Sequence, residues 1–151
     1  MSPKKTPQEL KEARERKKKE REKEQKRERI ERIQEIKTRI KWEQISSELD
    51  GLYEELDKIY KKAPEEQISA LTVESINLIV RDTKEIIKED PYVNHVNEFV
   101  PAGDNPEYRD AIIILKRLKQ GLERFKRSYL REHERLDSLI SELKDLESEK
   151  S

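Results

Sequence analysis

The last third of the chain carries a stripe of apolar residues on alternating steps of three and four. Tyr108, Ala111, Leu115, Leu118, Leu122, Phe125, Tyr129, Leu136, Leu139, Leu143 and Leu146 fall on it, and only Glu132 interrupts the series. Such an alternation keeps one helix face turned toward a partner helix, with the seam buried. It predicts a single helix from Pro106 to about Glu147, with Asn105 as cap and Pro106 in the first turn. Ile112, Ile113 and Ile114 broaden the apolar face at its start, as bundle core requires. Further along, the face narrows to a coiled-coil seam.

Two earlier stretches share the period. Ile30, Ile33, Ile36 and Ile40 form one series. Trp42, Ile45, Leu49, Leu52, Leu56 and Ile59 form the next, with a phase slip near residues 40–42 of the kind that locally changes supercoil winding. Lys61-Lys62-Ala63-Pro64 predicts the end, with cations near the negative pole and proline beyond. Gly51 inside this helix is either a close-approach point or a weak point. Val73, Ile76, Val80, Thr83 and Ile87 predict a second helix, with Thr72 as cap and an end near Asp90-Pro91. Residues 91–106 lack a clear period, yet Tyr92, Val93, Val96, Phe99 and Val100 are too apolar for a loose linker. Part of that stretch is expected to form a short helix packed on the bundle.

Upstream, Leu10 to Arg29 is almost wholly Lys, Arg, Glu and Gln. Thr6-Pro7-Gln8-Glu9 has the pattern of a capping box with proline at the first helical position. Glu12–Arg16, Glu15–Lys19, Glu22–Lys26 and Glu28–Arg32 sit four apart with the acid first. Each such pair adds about 0.2–0.5 kcal/mol to a helix. The expectation is a helix that frays and has no side needing burial.

Together these elements predict an all-α fold, an elongated three-helix bundle with long coiled-coil extensions. Residues 1–32 form a charged basic arm. Residues 33–128 form the bundle, including a structured loop at 91–106, and residues 129–151 form a C-terminal coiled-coil extension. If the third helix runs straight, its end projects as an unpaired seam. Tyr129, Glu132, Leu136, Leu139, Leu143 and Leu146 would then make an oligomer interface, most simply in a homodimer. The alternative is that the third helix folds back along residues 30–45 and buries both seams in one chain.

Composition narrows the picture. Charged residues make up 45% and apolar residues 32%, so narrow helical seams are the only core within reach. Zero formal net charge hides an uneven split: residues 1–32 hold fourteen Lys/Arg against eight Asp/Glu. A basic arm on an acidic body suits an anionic partner, or the acidic body of another copy. Lys11, Arg14, Lys17, Lys18 and Arg21 are the candidates for nucleic-acid contact. The interleaved glutamates and the lack of an aromatic residue to stack on bases oppose that reading. With no cysteine, disulfides, thiolate nucleophiles and cysteine zinc sites are excluded. No apolar run is long enough for a membrane span, and the N-terminus lacks the apolar centre of a signal peptide. A cytoplasmic protein without a membrane partner is the expectation.

Candidate chemistry is sparse. Trp42, Tyr92, His95 and Phe99 are the residues expected to recognise a partner protein, through an aromatic anchor and the unusual loop. His95, Glu98 and Asp104, with Asp90 nearby, offer a thin case for a metal, because one histidine without ligand spacing is weak. Asp104, Asn105, Tyr108, Arg109 and Asp110 crowd a helix start, where the acids make an anion site unattractive. His133 reads as a solvated face residue. No nucleophile or phosphate-cradling glycine loop accompanies His95. The chain is therefore expected to be no enzyme, with no catalytic residue, cofactor, metal or small-molecule substrate. It reads as a helical scaffold or adaptor that self-associates or binds partner proteins through coiled-coil seams. The alternative is a nucleic-acid-associated accessory protein using the basic arm.

Overall fold

The computed structural model describes residues 4–101, 107–131 and 134–149. Its regular elements are helices: α1 Pro7–Lys62, α2 Ala70–Ile86, α3 Pro91–Asn94, α4 Glu107–Tyr129 and α5 Leu136–Ser148. The all-α expectation holds. Among the described residues, no helix is long and apolar enough to cross a membrane.

α1 starts where the sequence predicts. Thr6 Oγ1 accepts the Glu9 N–H at 3.2 Å, and the Glu9 carboxylate accepts the Thr6 N–H at 3.1 Å. This reciprocal pair satisfies two orphan donors of the first turn. The helix then runs 56 residues without a break, about 84 Å at 1.5 Å per residue. The charged arm is thus continuous helix where fraying was expected. At the far end Lys61 and Lys62 occupy the last turn, and the Ala63 N–H closes on the Ile59 carbonyl at 2.7 Å.

The buried face of α1 is not one straight stripe. Its buried residues are Ile33, Ile36, Arg39, Trp42, Ile45, Leu49 and Leu56. The first five come at steps of three, and each such step turns the buried position about 60° around the axis. Ile33 and Ile36 therefore face a different side from Ile45, Leu49 and Leu56. The phase slip at residues 40–42 is the place where the helix passes from one neighbour to another. Arg39, rather than Ile40, takes the inward position at the crossing.

The main core joins the second half of α1 to α2, the 91–100 segment and α4. Leu49, Leu56, Ile76, Val80, Val93, Ala111, Leu115 and Leu118 are sealed within it. Ser69 caps α2 by accepting the Thr72 N–H at 3.2 Å. Thr72 is the third helical residue and not the cap, and α2 stops at Ile86, short of Asp90. Asp90 instead caps α3, its Oδ1 accepting the N–H groups of Tyr92 at 2.9 Å and Val93 at 3.2 Å. The Asn77 side chain pins the following strand of chain. Its Nδ2 donates to the Phe99 carbonyl at 3.0 Å, and its Oδ1 accepts the Phe99 N–H at 2.6 Å. Buried Glu107 accepts the Ile68 N–H at 2.9 Å, tying the start of α4 to the α1–α2 connection.

The largest departure from expectation lies after Tyr129. The predicted single third helix is two helices, with Arg135 in extended geometry as the residue before α5. On α4 the stripe stays buried from Tyr108 to Leu122, but Tyr129 is 62% exposed and Leu130 turns inward at 7%. With the inward register lost, α5 packs on the N-terminal side of α1. Ile33, Ile36 and Leu139 are buried there, outside the main core. The chain thus takes the fold-back route, against residues 29–37 of α1, and has five helices among the described residues where three were expected.

Candidate functional site

Three surfaces gather the chemically distinctive residues. The first is the junction of α1 and α5. The Arg32 Nε and Nη2 donate to the two carboxylate oxygens of Glu142, each at 2.9 Å, and Nη2 also reaches Glu134 at 2.8 Å. Its remaining nitrogen stands 3.1 Å from Glu35. A planar guanidinium is suited to such paired carboxylate bonds. Glu142 foremost, and Glu134, hold Arg32 more firmly protonated than an ordinary arginine, against the opposing effect of burial. In return the Arg32 bond brings the Glu142 carboxyl below its usual range. Arg131 to Glu35 at 3.0 Å, Arg29 to Glu149 at 3.3 Å and Lys37 to Glu147 at 3.5 Å complete the junction. The positive charge at the base of the arm is met by the acidic C-terminal helix of the same chain.

The second surface is a groove of about 560 Å³ between the end of α2, α3 and the end of α4. Ile86, Pro91, Tyr92, Phe125 and Tyr129 give it an apolar floor and aromatic walls. The Phe125 and Tyr129 rings pack 5.2 Å apart. Arg124 frames one side: its Nε donates to Asp90 at 3.0 Å, and its guanidinium lies 5.1 Å over the Tyr92 ring. Burial raises the Asp90 carboxyl, but Arg124 and the N–H groups of Val93 and Tyr92 outweigh it and bring the group below its ordinary value. Beyond Tyr92 the surface continues into a smaller cleft lined by His95, Arg117, Gln120 and Arg124. α3 can lie so close because Gly121 has no side chain: a methyl there would collide with Val93.

The third surface is the arm. From Lys4 to Glu28 every residue is exposed except the half-buried Ala13. Lys11, Arg14, Lys17, Lys18 and Arg21 all lie on this free stretch of α1.

The other residues singled out in the sequence divide clearly. Trp42 is 7% exposed, and its Nε1 donates to the Leu122 carbonyl at 2.9 Å. Arg39 and Lys126 lie over its ring at 5.3 and 5.2 Å. Its ring is packed inside the fold of this chain. Phe99 is likewise in the core at 5%, whereas Tyr92 is 71% exposed and His95 is exposed beside it. In the C-terminal seam Leu139 is covered by α1, Leu143 and Leu146 are half-buried, and Leu136 and Tyr129 remain exposed. The seam expected to be unpaired therefore already has an intrachain neighbour. Glu132, His133, Asp104 and Asn105 lie outside the described residues. His95 and Glu98 line a common hollow, but Glu98 pairs with Arg81 at 3.1 Å. No group of three or more His, Asp or Glu able to hold a metal occurs among the described residues.

Sequence reasoning missed the Arg32–Glu142 junction and the aromatic groove. The split between a basic arm and an acidic remainder was the available signal for the first. The second joins residues from three elements, and no local spacing marks it. No family model, curated protein or solved structure matches the chain.

Proposed function

We propose that this chain is a non-enzymatic helical adaptor that self-associates or holds a partner protein through helix faces. The observation that supports this most is the free part of α1, a helix that continues for more than twenty residues past the last element packed on it. A bundle needs no such extension for its own stability, and surface charge of this density keeps the extension helical and soluble. The bundle fixes one end of the helix and leaves the other for contact. α5 adds an apolar strip of its own, with Leu136 and Ile140 still 39% and 38% exposed along the flank of the face that carries Leu139.

Light scattering across a hundredfold concentration range tests the self-association part. A mass above that of the 18.1 kDa chain, lowered by Leu136→Asp with Ile140→Asp, supports it. A single-chain mass throughout removes self-association and leaves a different protein as the only partner compatible with the reading.

A further inference from the structure

The continuity of α1 sorts the charges of the arm in a way that its interleaved sequence conceals. At 100° per residue, Lys11, Arg14, Lys18, Arg21, Gln25, Arg29 and Arg32 fall within a sector of about 80°. No glutamate of the helix between residues 7 and 32 enters that sector. Glu9, Glu12, Glu20, Glu24 and Glu31 lie on the other side, and Glu15, Glu22 and Glu28 flank it. The same sector continues to Arg39.

Its lower part already binds anionic groups. Arg29 pairs with Glu149, Arg32 with Glu142 and Glu134, and Arg39 with Glu43 at 3.0 Å. Above Arg29 the stripe runs on with none of the described helices over it. We propose that Lys11, Arg14, Lys18 and Arg21 continue this anion-binding face and dock the sugar-phosphate backbone of a nucleic-acid duplex.

Charge complementarity and continuity with the α1–α5 junction define the face, and the remaining chemistry selects the occupant. An acidic helix from a protein would find no apolar residue in the stripe, and exposed ion pairs alone give only about 0–1 kcal/mol each. A lipid surface needs an apolar helix face, and Leu10 and Ala13 are the only aliphatic residues between Pro7 and Arg29. A single strand is held largely by stacking, and the arm has no aromatic residue. A duplex backbone needs only a row of cations, and releases its condensed counterions to them. Recognition by this stripe is independent of base sequence.

Fluorescence anisotropy with a labelled duplex of about 24 base pairs and the full chain tests the inference. Four contacts predict that affinity falls with salt at a logarithmic slope near −3.6, roughly 150-fold between 50 and 200 mM. Lys11→Gln, Arg14→Gln, Lys18→Gln and Arg21→Gln together should abolish binding at 50 mM salt. Arg16→Gln, Lys19→Gln, Lys23→Gln and Arg27→Gln remove the same charge from the other side and should cost less than tenfold. Glutamine keeps helix propensity, and circular dichroism confirms that both variants retain α1. Failure of the intact chain to bind overturns the inference. So do equal losses in the two variants, or equally tight binding of polyglutamate or phosphatidylserine vesicles at the same salt. A single-chain mass in light scattering leaves the inference intact, since one arm suffices.

Discussion

Arg32 and Glu142, 110 residues apart in sequence, meet through two hydrogen bonds of 2.9 Å. That contact is the strongest polar link between α5 and the rest of the chain. Arg32→Ala removes it together with the bond to Glu134, while leaving the main core untouched. The expected loss is about 1–3 kcal/mol, confined to α5. Hydrogen exchange reads it directly: amides around Leu139 to Leu146 should lose protection while those of α2 and α4 keep theirs. Unchanged protection in α5 would assign its docking to Ile33, Ile36 and Leu139 alone.

Acid should release the same helix. Glu142 titrates below the ordinary glutamate value of 4.5 because Arg32 bonds to its charged form. Asp90 titrates below 3.8 despite burial because Arg124 and two N–H groups hold its charged form. A depressed carboxyl gives stability that is present above the unfolded-state value and is lost as pH falls through the folded-state value. Docking of α5 should therefore be constant near neutrality and weaken below about pH 4.5, and that of α3 below about pH 3.8. Amide chemical shifts followed from pH 7 to 3 check this, and tighter docking on acidification would contradict it.

The two glycines of the described helices predict opposite responses. Gly51 meets no atom within 4 Å of an added methyl group, so it is a weak point and not a close approach. Gly51→Ala should stabilise the fold by up to about 1 kcal/mol. Gly121→Ala drives a methyl into Val93 and should destabilise by about 1–3 kcal/mol. Urea unfolding midpoints compared with the parent chain give both signs in one experiment.

Trp42 offers a built-in reporter. Its ring is buried and its Nε1 bonds to the Leu122 carbonyl, so emission should be blue-shifted in the folded chain and move to the red on unfolding. Trp42→Phe keeps an aromatic ring but loses the hydrogen bond and some volume, at an expected cost of about 1–3 kcal/mol. Thermal unfolding followed by circular dichroism measures that cost.

Much of this architecture was legible in the chain. The capping box at Thr6 and Glu9, the stop after Lys62 and the packed helix in the 91–106 segment all have local causes, in turn chemistry and composition. What was not legible depends on who faces whom. The three-four stripe runs from Phe125 to Leu136 without proline or glycine to mark an end, so the spacing gives a common face but not a common helix. The change occurs because Leu130 replaces Tyr129 as the inward residue, and nothing in the pattern ranks those two. For the same reason the inward place of Arg39, the cap role of Ser69 and the burial of Glu107 required the neighbours to be seen. Trp42 and Phe99 look alike as partner anchors in sequence, and the fold covers both. Tyr92, chosen on the same grounds, stands in the open beside the aromatic groove.

The unbroken length of α1 makes it a pointer as well as a spine. Pro7 lies about 33 Å along the axis from Arg29, the point nearest the arm at which the rest of the chain holds the helix. A tilt of about 5° at that grip would carry the tip sideways by about 3 Å, roughly half the pitch of a helical turn. Small adjustments inside the bundle are therefore written large at the end of the arm, and whatever meets that end is placed by the packing of residues it never touches.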